Sequence, residues 1–446
     1  MSLIIAIATA LFLFFGQGVR WYCMGGDTEA YYMEFGHHIE TKPLYSLIME
    51  GARVVFGQDR YLYAVAIFQI ILSVVCITVF VNYIRKHFKL GIINTIIVWG
   101  LSLLPYVILL PEDVISHTLM TESITYPLMY IFIVLVHKGV THRSEKEIYI
   151  SVVLTIILTL VRGQMLFLLA ISAIALIYIM IMKKSKWYKF IIFMIFMLIC
   201  VKGESLLCGA YESYFFNAPK LSYSAQTLVQ KALFCADEND EALFDTDSKE
   251  VFKRTYSKMM KQHSNYKYMT GALNDWKHTT DSFGDNSYIL GDVIEDYSQE
   301  NGYVFEDIFD REEVVLDYSN DITWKLIKAH PGRFLYVSLS MVPSGFVSTV
   351  LFHKESIYGL IHVFTLLFYL GMIVLSIVLY KRCDDTSVSE YVWLVLLTSI
   401  VNVFGSDLIH MGLQRYQAYT LGLNWVGAYL IVVTIVKIGY SYAKQI

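Results

Sequence analysis

Charge is what this 446-residue chain has least of. Only 17% of its residues are Asp, Glu, Lys or Arg, where a soluble globular protein carries about 25%. With 56% hydrophobic and 15% aromatic side chains and a mean hydropathy of +0.51, that shortage excludes an ordinary water-soluble enzyme. Cysteine is scarce too. Six residues without a Cys-x-x-Cys pair exclude a disulfide framework and a cysteine metal pair. The 12 histidines include no His-x-x-x-His or His-Glu-x-x-His spacing, which argues against zinc. No internal repeat at a fixed period is present, so an inverted-repeat transporter finds no support. Residues 209–333 hold 22 acidic and 13 basic side chains, the wrong sign for a nucleic-acid surface, and leave 17 acidic and 22 basic for the rest.

What the chain does have is apolar runs long enough to cross a hydrocarbon core of about 30 Å. They fall near 3–19, 61–84, 92–110, 118–137, 148–161, 164–182, 187–207, 357–380, 390–409 and 417–437. The fold expected is an all-α polytopic membrane protein of about ten transmembrane helices. Arg162-Gly163-Gln164 interrupts the stretch 148–182, and two short spans meeting at a polar hairpin explain it better than one helix of about 50 Å. The first run lacks a basic flank and a small-x-small cleavage site and reads as a retained span. Lys and Arg collect at 85–89, 138–146, 183–189, 381–382 and 437–444, which places both termini in the cytoplasm of a plasma-membrane protein. The extracytoplasmic face then receives 20–60, 111–117, 162–164, 208–356 and 410–416.

Three parts follow. Residues 1–207 form a transmembrane module with an outer loop at 20–60. Residues 208–333 form a small acidic extracytoplasmic segment with helical patterns at Lys249–Gln262 and Asp317–Ala329. It is too polar for a large core of its own and is expected to fold against the membrane body, with a Cys208–Cys235 bridge possible. Residues 334–446 begin with an interfacial or re-entrant stretch, 334–352, read from Pro343 and Gly345, and end in the last spans.

Candidate functional residues lie at the outer boundary. Gly25-Gly26-Asp27-Thr28-Glu29 follows the first run; Asp27 is either a helix cap or a general base. Glu112 and Asp113 stand in the next outer loop, and Glu122 lies about one turn inside a span, where a carboxylate is costly. Asp27, Glu29, Glu112 and Asp113 together have the oxygen chemistry for Mg²⁺ or Mn²⁺, although the spacing does not demand a metal. Arg162 and Arg415 are isolated outer arginines, suited to a phosphate or to snorkelling toward headgroups. His410 precedes Arg415-Tyr416 and is placed to hydrogen-bond a phosphate or sugar; His37 and His38 read as surface residues.

In order and topology these features resemble the GT-C class of integral-membrane glycosyltransferases, which use polyprenyl-phosphate-linked sugars. The resemblance rests on Asp27-x-x-x-Tyr31 after the first span, Arg162-Gly163 between short spans, His330-Pro331-Gly332-Arg333 closing the polar segment, and Arg415-Tyr416 near the last span. It covers nearly the whole chain, but each motif is short. It implies a GT-C-like fold and a donor whose sugar passes to a glycan, lipid or protein acceptor. It implies further that Asp27 serves as base, with Glu29 beside it. Arg415 would hold the donor phosphate with Arg162 and His410, Tyr416, Glu122, Glu112 and Asp113 lining the substrate site, and the anomeric carbon would be inverted. The chain departs from metal-using members in having Asp27-x-Glu29 where they carry Asp-x-Asp. A lipid-linked oligosaccharide polymerase, a flippase for a lipid-linked glycan and a structural membrane subunit are the alternatives.

Overall fold

Apolar sequence becomes helix here because a helix pairs its own backbone groups without water. The computed structural model describes residues 1–15, 22, 42–107, 115–216, 224–269, 276–306, 308–351, 358–383, 385–409 and 414–443. The first half contains α1 (Ser2–Phe15), α2 (Pro43–Phe56), α3 (Tyr61–His87), α4 (Ile92–Ser102), α5 (Glu122–Thr141), α6 (Glu145–Val161), α7 (Leu168–Lys183) and α8 (Tyr188–Phe216). The polar segment contains α9 (Ser224–Phe234), α10 (Thr246–Lys261), α11 (Trp276–Glu300) and α12 (Ile308–Ala329). Then come α13 (Pro331–Ser348), α14 (Tyr358–Arg382), α15 (Ser387–Ile409) and α16 (Leu421–Ala443). No β-strand occurs among the described residues.

Among the described residues, seven helical stretches are long and apolar enough to cross a membrane: Tyr61–His87, Glu122–Thr141, Gly163–Lys183, Tyr188–Phe215, Gly359–Arg382, Ser387–Leu408 and Arg415–Gly439. This is the architecture of a helical membrane protein. The three other spans expected from sequence fall on shorter helices: α1, Ile92–Val107 and the 17-residue α6. The break at 162–164 is present. α6 stops at Val161, Arg162 is extended with φ −152°, and a tight turn over Gly163–Phe167 leads into α7.

The helix ends sort into two sets. The start of α5, the α6–α7 turn, the end of α15 and the turn before α16 meet at one end of the bundle. Basic residues gather at the other, where Arg143 pairs with Glu390 at 2.6 Å and Lys189 with Glu145 at 2.8 Å. Between the ends, Phe80, Phe132, Ile133, Leu158, Ile171, Val395 and Val426 belong to one buried core.

Three readings change. The polar segment does have its own core, built from Val229, Leu233, Phe252, Met259, Ile294 and Ile322, because its polar helices are amphipathic. It joins the membrane body where Phe234 and Cys235 pack on Val337 and Met341 of α13. The second is the interruption expected at Pro343 and Gly345. α13 is one continuous helix through Pro343 and Gly345. Pro343 costs one backbone hydrogen bond, and Gly345 admits the close approach of α15. A Cβ at Gly345 would collide with the Asp407 side chain and lie 2.8 Å from Val403 Cγ1. The Cys208–Cys235 bridge is absent as well, since both thiols are free.

Gly422 opens α16 against α4. A Cβ there would sit 2.7 Å from both the Leu101 carbonyl and the Tyr130 hydroxyl. Tyr130 already donates to the Ser102 carbonyl at 2.7 Å, so neither atom is free to retreat. Gly422→Ala is therefore expected to destabilise by about 1–3 kcal/mol, the usual cost of overpacking. Thermal melting in detergent checks it, with Gly439→Ala, where a Cβ meets nothing within 4 Å, as the neutral control.

Candidate functional site

Glu122 is the centre of the site. It occupies the first turn of α5, where a carboxylate is favoured by the helix dipole, and it is fully buried. Arg162 Nη1 lies 2.9 Å from Glu122 Oε1 and donates to Thr121 Oγ1 at 2.8 Å. Arg415 Nε lies 3.5 Å from the same Oε1. Thr121 donates to the other carboxylate oxygen at 3.1 Å. Both guanidiniums also face Tyr416, with Arg162 Cζ 4.2 Å and Arg415 Cζ 5.2 Å from its ring centre. Two arginines from opposite halves of the chain thus share one acid and one aromatic ring.

The backbone beneath is held from several sides. Tyr126 donates to the Arg415 carbonyl at 2.6 Å and meets Tyr419 edge-on at 4.6 Å; Tyr419 in turn lies 2.9 Å from the Thr125 hydroxyl. On the Arg162 side, Arg162 Nε donates to Gln164 Oε1 at 3.1 Å. The Gln164 amide then donates to Ser406 Oγ at 2.6 Å and to the Tyr416 carbonyl at 3.0 Å. Asn402 donates to the Gln417 side chain at 3.2 Å, and Gln417 donates to Asp407 Oδ1 at 2.8 Å. Asp407 is completely buried, and Lys231 of α9, 1% exposed, donates to its backbone carbonyl. A chain of polar contacts therefore runs from the polar segment through α15 to Arg162 and Glu122.

The His330-Pro331-Gly332-Arg333 motif starts α13 and fastens it to the polar segment. His330 Nε2 lies 2.7 Å from Asp240, while Arg333 pairs with Asp237 at 2.7 Å and lies 3.9 Å over the Tyr266 ring. Burial would raise the Asp237 carboxyl, but hydrogen bonds from Lys267, Arg333 and Tyr266 outweigh it and hold it at about 2. The motif's position here is structural, remote in its contacts from the arginine pair.

Of the residues singled out from sequence, the structure brings Glu122, Arg162, Arg415 and Tyr416 together. Asp27, Glu29, His37, His38, Glu112, Asp113 and His410 lie outside the described residues, so the carboxylates suited to Mg²⁺ or Mn²⁺ do as well. Sequence reasoning missed Gln164, Asn402, Asp407, Gln417 and Lys231. Asp407 carried a usable signal: an acid within an apolar run, five residues after Asn402.

Chemically the arrangement orients two planar, permanently charged forks at one end of the bundle. Such forks match the oxygen geometry of a phosphate, and a fixed carboxylate keeps them from collapsing onto headgroups at random. No known protein family, curated protein or solved structure matches the chain.

Proposed function

We propose that this chain is a GT-C-like membrane glycosyltransferase that moves a sugar from a polyprenyl-phosphate-linked donor to a glycan, lipid or protein acceptor. The observation that carries the reading is the convergence of Arg162 and Arg415 on Glu122 beside Tyr416. A donor of this kind lies in the bilayer with its phosphate at the boundary, the level at which these helices end. Arg415 and Arg162 hold that phosphate and stabilise the charge it gains as the glycosidic bond breaks. Asp27 takes the proton from the acceptor hydroxyl, whose oxygen attacks the anomeric carbon from the opposite face and inverts it. The site faces the extracytoplasmic side of a plasma membrane, with ten crossings and cytoplasmic termini.

Native mass spectrometry tests this on wild type, Arg415→Ala and Asp27→Asn. Wild type and Asp27→Asn are expected to retain a polyprenyl-phosphate sugar, and only wild type to consume it. Losing charge-assisted hydrogen bonds to the phosphate should weaken retention in Arg415→Ala by roughly tenfold to a hundredfold. Retention by Arg415→Ala at the wild-type level, or no polyprenyl lipid on any of the three, would overturn the assignment.

A further inference from the structure

The opposite, basic end of the bundle carries a second feature. A cleft of about 430 Å³ opens between α7 and α14, with α15 as its floor. That volume lies within the range of about 300–1,000 Å³ typical of small-molecule pockets. Its walls are Ile174 and Tyr178 from α7, Ile377 and Tyr380 from α14, and Trp393 and Leu397 from α15. Ile174, Ile377, Tyr380 and Trp393 are exposed, so the cleft opens sideways at the depth of the hydrocarbon. From Glu390 to Leu397 along α15 it is about 10 Å deep at 1.5 Å per residue.

One acid lines it. Glu390 is almost buried and accepts from Arg143 at 2.6 Å and from the Tyr178 hydroxyl at 2.9 Å. Arg143 itself stacks 4.9 Å from the Tyr178 ring. The carboxylate is thereby neutralised within the protein, which leaves an apolar slot with a hydrogen-bonded rim instead of a cation site. Further charge lies above the slot. Both wall helices end there in exposed basic pairs, Lys183-Lys184 at the end of α7 and Lys381-Arg382 at the end of α14.

An apolar slot open to hydrocarbon and crowned by four cations is complementary to one class of molecule. We infer that this cleft binds an anionic glycerophospholipid, with an acyl chain between α7, α14 and α15 and the headgroup phosphate held by the two basic pairs. The site lies in the leaflet opposite the Arg162–Arg415 end. It depends on the chain being a membrane protein and not on its being a glycosyltransferase.

The test uses the whole protein in lipid nanodiscs doped with phosphatidylglycerol or phosphatidylcholine that carry the same photoreactive acyl chain. Peptide mapping after irradiation is expected to place the phosphatidylglycerol label on 171–178, 377–380 and 390–397. The exposed face of α8, with Ile191 and Leu198, should be labelled weakly. Each basic side chain near headgroups is worth roughly fivefold in affinity, so Lys381→Gln with Arg382→Gln should lower cleft labelling by roughly 25-fold at most. Both positions are exposed, so the double variant should fold. In Ile174→Trp the larger ring should displace the chain and remove the label with the basic pairs intact. Equal labelling by the two lipids, labelling of α8 as strong as of the cleft, or no change in either variant would overturn the inference. So would displacement of the label by a polyprenyl phosphate, which would make the carrier lipid the occupant.

Discussion

Glu122→Ala is expected to lower the stability of the detergent-solubilised protein by about 3–5 kcal/mol, the range seen when one partner of a buried ion pair is removed. The reason lies in what stays behind. Arg162 and Arg415 are side chains at 13% and 20% exposure, both reaching the same fully buried carboxylate. Without it, two guanidiniums face each other across Tyr416 in a site with little water to screen them. Glu122→Gln separates charge from shape. It keeps the volume and an acceptor for Arg162 Nη1, but not the negative charge, so it should fall between alanine and wild type. Unfolding followed by tryptophan fluorescence measures stability, and donor retention by native mass spectrometry measures function. Arg162→Ala is the complementary variant, which should lose donor binding while leaving the acid to pair with Arg415. Wild-type stability in both Glu122 variants would show that the arginines are held by other contacts.

How much of this was readable beforehand depends on the range of the interaction. Apolar runs locate the helices because helix and membrane both respond to local composition. The break at Arg162 is legible for the same reason: a polar triplet inside a 35-residue apolar stretch leaves few alternatives. Glu122, Arg162 and Arg415 stand out as isolated charges near span ends. That Glu122 is their common partner is not legible, because the three residues are brought together by the packing of α5, the α6–α7 turn and the turn before α16, and not by spacing. Lys231 shows the limit most clearly. In a helix containing Gln226 and Gln230 it reads as a solvated charge, and only docking of α9 on α15 buries it. Pro343 misled in the other direction. Proline and glycine normally mark a break, yet the contact of α13 with α15 keeps the helix continuous, and Gly345 serves that contact instead of interrupting the chain.

Docking of the polar segment through Lys231 and Asp407 yields the second large effect. Lys231→Met is expected to destabilise by about 1–3 kcal/mol, because the buried Asp407 backbone carbonyl then loses the amine that donates to it. Asp407→Leu keeps that carbonyl and should cost a similar amount for another reason, since the buried Gln417 amide loses its acceptor Asp407 Oδ1. A pH series supplies an independent sign. Burial pushes the Lys231 amine down from its ordinary 10.5 to about 7, with Asp407 and Cys235 opposing the shift. Between about 7 and 10.5 the unfolded chain therefore holds a proton that the folded chain does not, and stability rises with pH across that window. Below about 7 both states are protonated and this group contributes no slope. Melting temperatures at pH 7.5 and 9.5 should thus differ more in wild type than in Lys231→Met. An equal pH response would mean that Lys231 is solvated and that the polar segment docks without it, through the α13 contacts of His330 and Arg333 and the apolar packing of Phe234 and Cys235. If the slope is lost as expected and donor retention falls with it, the contacts from Asp407 through Gln417, Asn402 and Gln164 position Arg162. If the slope is lost and retention is unchanged, docking and phosphate binding are separate properties of the same end of the bundle.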